Sequence, residues 1–424
     1  MPEAKPVTPM MQQYREVKAK LSTGTLLLFR LGDFFELFEE DAAIASNILG
    51  LTLTARGEVP MAGIPAHAVD SYIRRLLEAG RKVALCDQLE EARPGKLVKR
   101  ALTRVYTPGT TLSDEHLRQN HNQYLLAIDQ VASQFCASYL ELSTGQWVVF
   151  SSPKREDFLT HLVFLNPAEL VVPEGKLTPG LKEYLIENLP ELTVTELPES
   201  FFEPVGAYRI LCEALSVLSL KGFGLSPEHP AVGAAGALYS YASQALCGKP
   251  ENLKNIEVAT LSNQLMVDPA TARQLELFAS LAGGRKGSLL EAIDSTVTAA
   301  GGRLLERVML AASLDINELN QRLDAVEVFA SNPQKLDELR VTLKSTRDIE
   351  RILSRLQNRL RSPRELCATR DTLKALPALR EFLRNFSPKA ASVFSFFSED
   401  LGSHASLEGL LSAALEDEAV GDLS

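Results

Sequence analysis

The sequence predicts a multidomain chain of α/β plus α class: a small mixed α/β domain, a second α/β domain, and an all-α region. Three observations predict it. Strand-length apolar runs alternate with helical periods over the first 107 residues. Three strands then follow one another from Tyr124. Beyond about Leu261 only the helical period remains. At 424 residues and 45% hydrophobic, the chain is long enough for several cores.

In the first part, "TPMMQQYREVKAKL" reads as a helix with Thr8 as N-cap and Pro9 at its first position. "TLLLFR" has strand length. "DFFELFEEDAAIASNIL" carries a helical period and ends at Gly50, a C-terminal stop. The stretch "TARGEVPMAGIP" reads as turns, and "HAVDSYIRRLLEAG" as a helix closed by Gly80. "KVALCDQL" and "LVKRALTRVYTPG" read as strands.

In the second part, "YLLAID", "FCASYLELST" and "GQWVVFS" read as successive strands, followed by the helix "REDFLTHLVFL" and the strand "AELVVP". Helices are expected near Tyr208–Leu220 and Ala231–Leu246. The third part begins with "PATARQLELFASL" and includes "GGRLLERVMLAA", "INELNQRLDAVEVFA" and "SPRELCATRDTLKAL". In "RDIERILSRLQNRL", Ile349, Ile352, Leu353, Leu356 and Leu360 form one apolar stripe. The expected domains are residues 1–110, 120–252 and 258–424. No repeat of fixed period occurs. The acidic close "LEDEAVGDLS" lacks a packing element and reads as a chain cut short.

Composition narrows the function. No run of about 18 apolar residues is present, so no membrane span is expected, and "MPEAKPVTPMMQQY" lacks the build of a secretory signal. Cys86, Cys136, Cys212, Cys247 and Cys367 are scattered and odd in number, which suits reduced thiols in a cytoplasmic protein. Net charge is -10, yet residues 1–120 hold 16 Lys+Arg against 15 Asp+Glu, and the other 304 hold 28 against 39. Basic side chains bunch at Arg74 and Arg75, at Arg81 and Lys82, and at Arg93, Lys96, Lys99, Arg100 and Arg104. Phosphate binding needs such a local patch, not a basic total.

Catalytic motifs are missing. The sequence has no GxxxxGK[ST] phosphate loop, GxSxG elbow or HExxH motif. His67, His116, His121, His161, His229 and His404 are dispersed, and no catalytic or metal site is assigned. Asp129 and Glu141, on neighbouring strands of the second part, leave open a two-metal nuclease of ribonuclease-H type, although such a site needs further carboxylates. A structural role is the expectation for both.

"GDFFELF" is the stretch on which function turns. Read as a helix start, Asp33 caps it, and Glu36 three residues on completes a capping-box-like pair. Phe35, Phe38, Ala42, Ala45 and Leu49 then share a face, and Phe34 with Leu37, Ile44 and Ile48 widens it, so periodicity buries Phe34.

The segments "TPMMQQY", "LLLFRLGDFFELFEEDA", "PMAGIPAHAVDSYIRRLLEAG" and "VYTPGTTLSDE", in that order, resemble the N-terminal mismatch-reading domain of the MutS family of DNA mismatch repair proteins. "NPAELVVPEG" resembles its connector domain, and "LEAIDSTVTAAGGRLLERVML" with "RDIERILSRL" its lever-helix core. The resemblance implies a ribonuclease-H-like connector without nuclease activity. It also places the family's Phe-x-Glu recognition element on Phe34 and Glu36, an aromatic wedge and a carboxylate that bind mismatched bases and small loops. Arg56, Lys96, Lys99 and Arg100 become candidate DNA-backbone contacts, with "PMAGIP" and His67 as a rigid turn and helix entry in support. "TAAGGRLLERVML" departs from the family, which usually has Pro after the Thr and Trp-Leu near the end. No cofactor is expected in this chain. ATP and magnesium, a MutL-type repair partner, a homodimer and a nucleoid-associated location are implied for a longer polypeptide with an ATPase region. The alternative is a truncated paralogue that serves as a protein-interaction module without mismatch preference.

Overall fold

The computed structural model describes residues 8–90, 98–113, 117, 120–360, 362–386, 402 and 404–416. Arg93, Lys96, His116 and the last eight residues lie outside the described residues.

The first sheet is built on β1 (Leu26–Leu31) and β2 (Phe34–Phe38), a hairpin whose two-residue loop is Gly32-Asp33. Gly32 has φ 61°, which this tight turn requires and glycine supplies without strain. β3 (Thr54–Arg56), β4 (Val59–Pro65), β5 (Val83–Gln88) and β6 (Arg100–Tyr106) complete the order β3-β4-β2-β1-β5-β6. α1 (Pro9–Lys18) begins as expected, with the Thr8 hydroxyl accepting from the Met11 N–H at 3.4 Å. α1 covers part of one face, where Met11 and Tyr14 meet Leu27, Phe29, Phe38 and Cys86. α2 (Glu39–Leu49) and α3 (Val69–Glu78) cover the other face, over Leu26, Leu28, Phe35, Leu37 and Ile64. Gly50 ends α2 at φ 70°, as the sequence predicts.

Two expectations fail here. "DFFELF" is strand, and the helix starts only at Glu39, whose φ is 55°. Asp33 therefore caps no helix, and Glu36 completes no capping box. "TARGEVPMAGIP" is not a string of turns, because Thr54–Arg56 and Val59–Pro65 pair as strands. β4 also pairs with β2, and that pairing holds Phe34–Phe38 extended.

The second sheet has the order β11-β10-β7-β8-β9-β12. Its strands are β7 (Tyr124–Val131), β8 (Gln134–Glu141), β9 (Gln146–Ser152), β10 (Glu169–Pro173), β11 (Thr193–Leu197) and the short β12 (Glu257–Val258). Three antiparallel strands followed by two parallel ones give the ribonuclease-H-like layout. α4 (Arg155–Leu165) and α5 (Pro179–Asn188) pack on one face, α6 (Pro204–Ala214) and α7 (Val232–Ala245) on the other. α6 starts and stops earlier than expected, Pro204 supplying its first turn and Glu203 its cap.

The third region is helical: α8 (Pro269–Gln274), α9 (Leu289–Ile293), α10 (Ala299–Leu310), α11 (Ile316–Ala330), α12 (Pro333–Lys344), α13 (Ile349–Gln357), α14 (Pro363–Arg384) and α15 (Ala405–Ala414). Among the described residues no helix is long and apolar enough to cross a membrane. The expected stripe on α13 is only partly buried. Leu353 is exposed, whereas Arg351, Ser354 and Arg355 are buried beside Ile352. The reason is that α13 faces backbone, not an apolar core. The Arg351 guanidinium donates to the His121 carbonyl at 2.8 Å, and the Ser354 hydroxyl to the Leu142 carbonyl at 3.0 Å.

A second polar joint ties the first sheet to the second. Glu169 is fully buried, and its Oε1 lies 3.2 Å from Lys82 Nζ. The same oxygen accepts from the Tyr241 hydroxyl at 2.6 Å and from the Thr195 hydroxyl at 2.7 Å, while the Gly109 N–H donates to Oε2 at 3.2 Å. A buried carboxylate that loses its cation costs about 3–5 kcal/mol. Lys82→Met is therefore expected to destabilise by that amount in chemical denaturation, and adding Glu169→Gln to recover part of the loss.

Candidate functional site

β2 is hydrogen-bonded on both edges, so its side chains must alternate. Phe29 of β1 stands opposite Glu36, and so does Gly63 of β4. Phe35 and Leu37 point to the α2–α3 core and are 2% and 0% exposed. Phe34 and Glu36 point to the other face, beyond the part that α1 covers. Phe34 is 48% exposed, a large apolar ring presented to solvent from a paired strand. Periodicity read as helix had buried it; the two-residue period of the strand reverses that reading.

Glu36 is half-buried, and its Oε2 accepts from the Arg56 guanidinium at 3.0 Å. Burial pushes its carboxyl above the usual range, and Arg56 pulls it part of the way back. Phe34, Glu36 and Arg56 thus share one face of the sheet. Gly63 belongs with them. A β-carbon there would lie 3.7 Å from the Phe34 ring, so the glycine leaves that side of the ring uncovered. A glycine inside a strand marks a close approach, but here the stretch read as turns and hid that signal.

The other candidates are placed differently. Lys99 is exposed, and its N–H donates to Glu90 at 3.1 Å. Arg100 is tied into the domain: it donates to the Arg30 carbonyl at 2.6 Å and to Gln13 at 3.1 Å, and lies 5.1 Å over the Phe29 ring. Arg104 is buried over the Tyr106 ring, and Lys82 is taken up by Glu169. The bunched basic residues are therefore not one solvated patch.

Asp129 and Glu141 do not converge. Asp129 pairs with Cys136 and Glu141 with Tyr124, five rungs apart along the β7–β8 ladder, or roughly 17 Å. The Glu141 carboxylate is buried and accepts from the Ser143 hydroxyl at 2.7 and 2.9 Å, a structural role. Among the described residues no group of three or more His, Cys, Asp or Glu side chains is placed to hold a metal ion.

Two outcomes follow from this geometry. Phe34→Ala is expected to change stability by no more than about 0.5 kcal/mol, whereas Phe35→Ala should cost about 3–5 kcal/mol; paired thermal melts check it. A raised Glu36 value means that the folded state holds the proton more tightly than the unfolded chain. Ionising Glu36 then costs stability as pH rises through the folded-state value, and the cost is absent below the unfolded value of about 4.3. Glu36→Gln should accordingly melt higher than the wild type at pH 7, with the difference gone near pH 4.

The sequence matches three family models in order: MutS domain I over residues 8–115, MutS domain II over 123–257 and MutS domain III over 270–423. It is 35% identical over 416 residues to the DNA mismatch repair protein MutS of Thermotoga maritima, covering 98% of this chain and 49% of that protein. Against the protein of the same name from Anaplasma phagocytophilum it is 36% identical, covering 96% and 50%. For Ehrlichia chaffeensis the identity is 37%, covering 95% and 50%. The chain spans about half the length of these curated relatives. With the three domain models following one another along a mixed sheet, a ribonuclease-H-like sheet and a helical region, the chain belongs to the MutS family.

Proposed function

We propose that this chain acts in DNA mismatch repair by binding duplex DNA at mispaired bases and small loops, with Phe34 as a wedge and Glu36 as the discriminating carboxylate. The observation that carries the reading is the exposed Phe34 ring, held on a doubly paired strand beside a half-buried carboxylate. A soluble domain gains nothing in stability from an aromatic placed there.

The physics fits such a role. A mispaired or bulged site stacks poorly, so kinking the duplex there costs less than in matched DNA. An aromatic side chain entering from the minor groove offsets the unstacking, a few kcal/mol per step. A rigid strand suits a wedge, because no ordering entropy is lost at insertion. A carboxylate near phosphates is repelled, which weakens binding to ordinary duplex. It becomes favourable only where a displaced base offers a hydrogen-bond donor, and so adds discrimination more than affinity. Lys99 and Lys96 would position the backbone without reading sequence, and Arg56 would meet a phosphate from beside Glu36. Arg100 would act indirectly, by stiffening the sheet beside the wedge.

ATP with magnesium, a MutL-type partner and a homodimer rest on resemblance alone. They are proposed for sequence that is not among these 424 residues, which hold no phosphate loop.

The test compares affinity for a single-mismatch duplex and its matched counterpart in the native gene product, at two salt concentrations. The wild type should prefer the heteroduplex by at least about tenfold, or about 1.4 kcal/mol, and Phe34→Ala should erase that preference while matched-duplex binding stays. Equal, strongly salt-dependent binding of both duplexes by the wild type would overturn the reading in favour of a protein-interaction module.

A further inference from the structure

Arg56 closes the edge strand β3, opposite Val59 of β4. Its side chain reaches across β4 to Glu36 on β2, and the Arg56 side chain stays 52% exposed while that of Glu36 is only 14% exposed. The cross-strand neighbours of Glu36, Phe29 and Gly63, carry no charge. Among the described residues Arg56 is thus the cation that Glu36 meets, and it approaches from the solvent side.

We propose that Arg56 is a positioning residue that sets the specificity of Glu36, holding the carboxylate turned toward β3 until a displaced base offers it a hydrogen-bond donor. The inference rests on the reading that Glu36 faces DNA. Two competitions define it. A phosphate attracts Arg56 away from Glu36, and the half-buried carboxylate is then left without its cation. In a matched duplex no base is displaced toward the carboxylate to replace the guanidinium, so the exchange is unfavourable. At a mismatch a displaced base can supply the donor, and both partners of the pair are satisfied at once. An ion pair whose cation stands in solvent is weak enough to exchange in this way. A plain phosphate contact would strengthen matched and mismatched binding alike; an Arg56 that works through Glu36 alters their ratio.

A double-mutant cycle on the native gene product separates the two. Wild type, Arg56→Ala, Glu36→Gln and the double variant are compared for the ratio of mismatched to matched affinity. Arg56→Ala should change that ratio by about fivefold, the scale of coupling between contacting residues, when residue 36 is glutamate, and leave it unchanged in the Glu36→Gln background. In the DNA-free chain, carboxyl NMR should show Glu36 titrating higher in Arg56→Ala than in the wild type. A ratio that moves equally in both backgrounds, or a Glu36 titration that does not move, would overturn the proposal. A wild type without mismatch preference would instead overturn the reading of the site, and this inference with it.

Discussion

The constraint on which the candidate site depends is the double pairing of β2. With β1 on one edge and β4 on the other, Phe34–Phe38 has no freedom to rotate, and alternation assigns each side chain to a face. A slip of one residue would put Phe34 and Glu36 into the core and Phe35 and Leu37 into solvent. The core prevents it, because Phe35 and Leu37 are buried under α2 and α3 with Ile64 and Ile73. The slip would bury the Glu36 charge in the core and expose the Phe35 ring, and both changes are costly. The burial of Phe35 thus fixes the exposure of Phe34.

The site also needs a fixed relation to the rest of the chain, and here polar groups do the joining. The Glu169 carboxylate collects Lys82, Tyr241, Thr195 and the Gly109 N–H at one point between the two sheets. At the second joint, Arg303 meets Asp348 and Glu350, Arg351 meets the His121 carbonyl, and Asn252 donates to Ser354 at 2.6 Å. Apolar surfaces tolerate sliding, since their attraction depends on area and not direction. Buried charges and directional hydrogen bonds tolerate little displacement, because each unmade bond leaves a desolvated group. Joints of this kind favour a few discrete arrangements of rigid parts.

Much of the fold was legible. The caps at Thr8 and Gly50, the run of strands from Tyr124 and the helical region beyond Leu261 follow from local rules of turn, cap and period. The failure over "DFFELF" is instructive. Phe35 and Phe38 are three apart, and Asp33 and Glu36 mimic a capping pair, so a short apolar run fits either period. Nothing within the stretch breaks the tie. β4, 27 residues downstream by the Glu36–Gly63 register, breaks it by pairing. The same pairing was missed from the other side, where Gly63, Pro60 and Pro65 gave "VPMAGIP" the look of turns. Pro65 is the last residue of β4, and Pro60 lies outside the register with β2. On α13 the stripe of Ile and Leu was real, but Arg351 and Ser354 were buried because carbonyls of the second domain await them, and Arg355 meets the Glu365 carboxylate.

The sequence by itself determined the class of each region, the ends of most helices and, through four ordered motifs, the family; these depend on neighbours a few residues away, which a linear reading contains. Only the tertiary structure decided which way Phe34 points, that Arg56 sits on Glu36, that Lys82 and Arg104 are withdrawn from any basic patch, and that Asp129 and Glu141 stand apart. Each of those depends on a partner brought close by strand pairing or domain packing, and distance in space is not encoded at any single place along the chain.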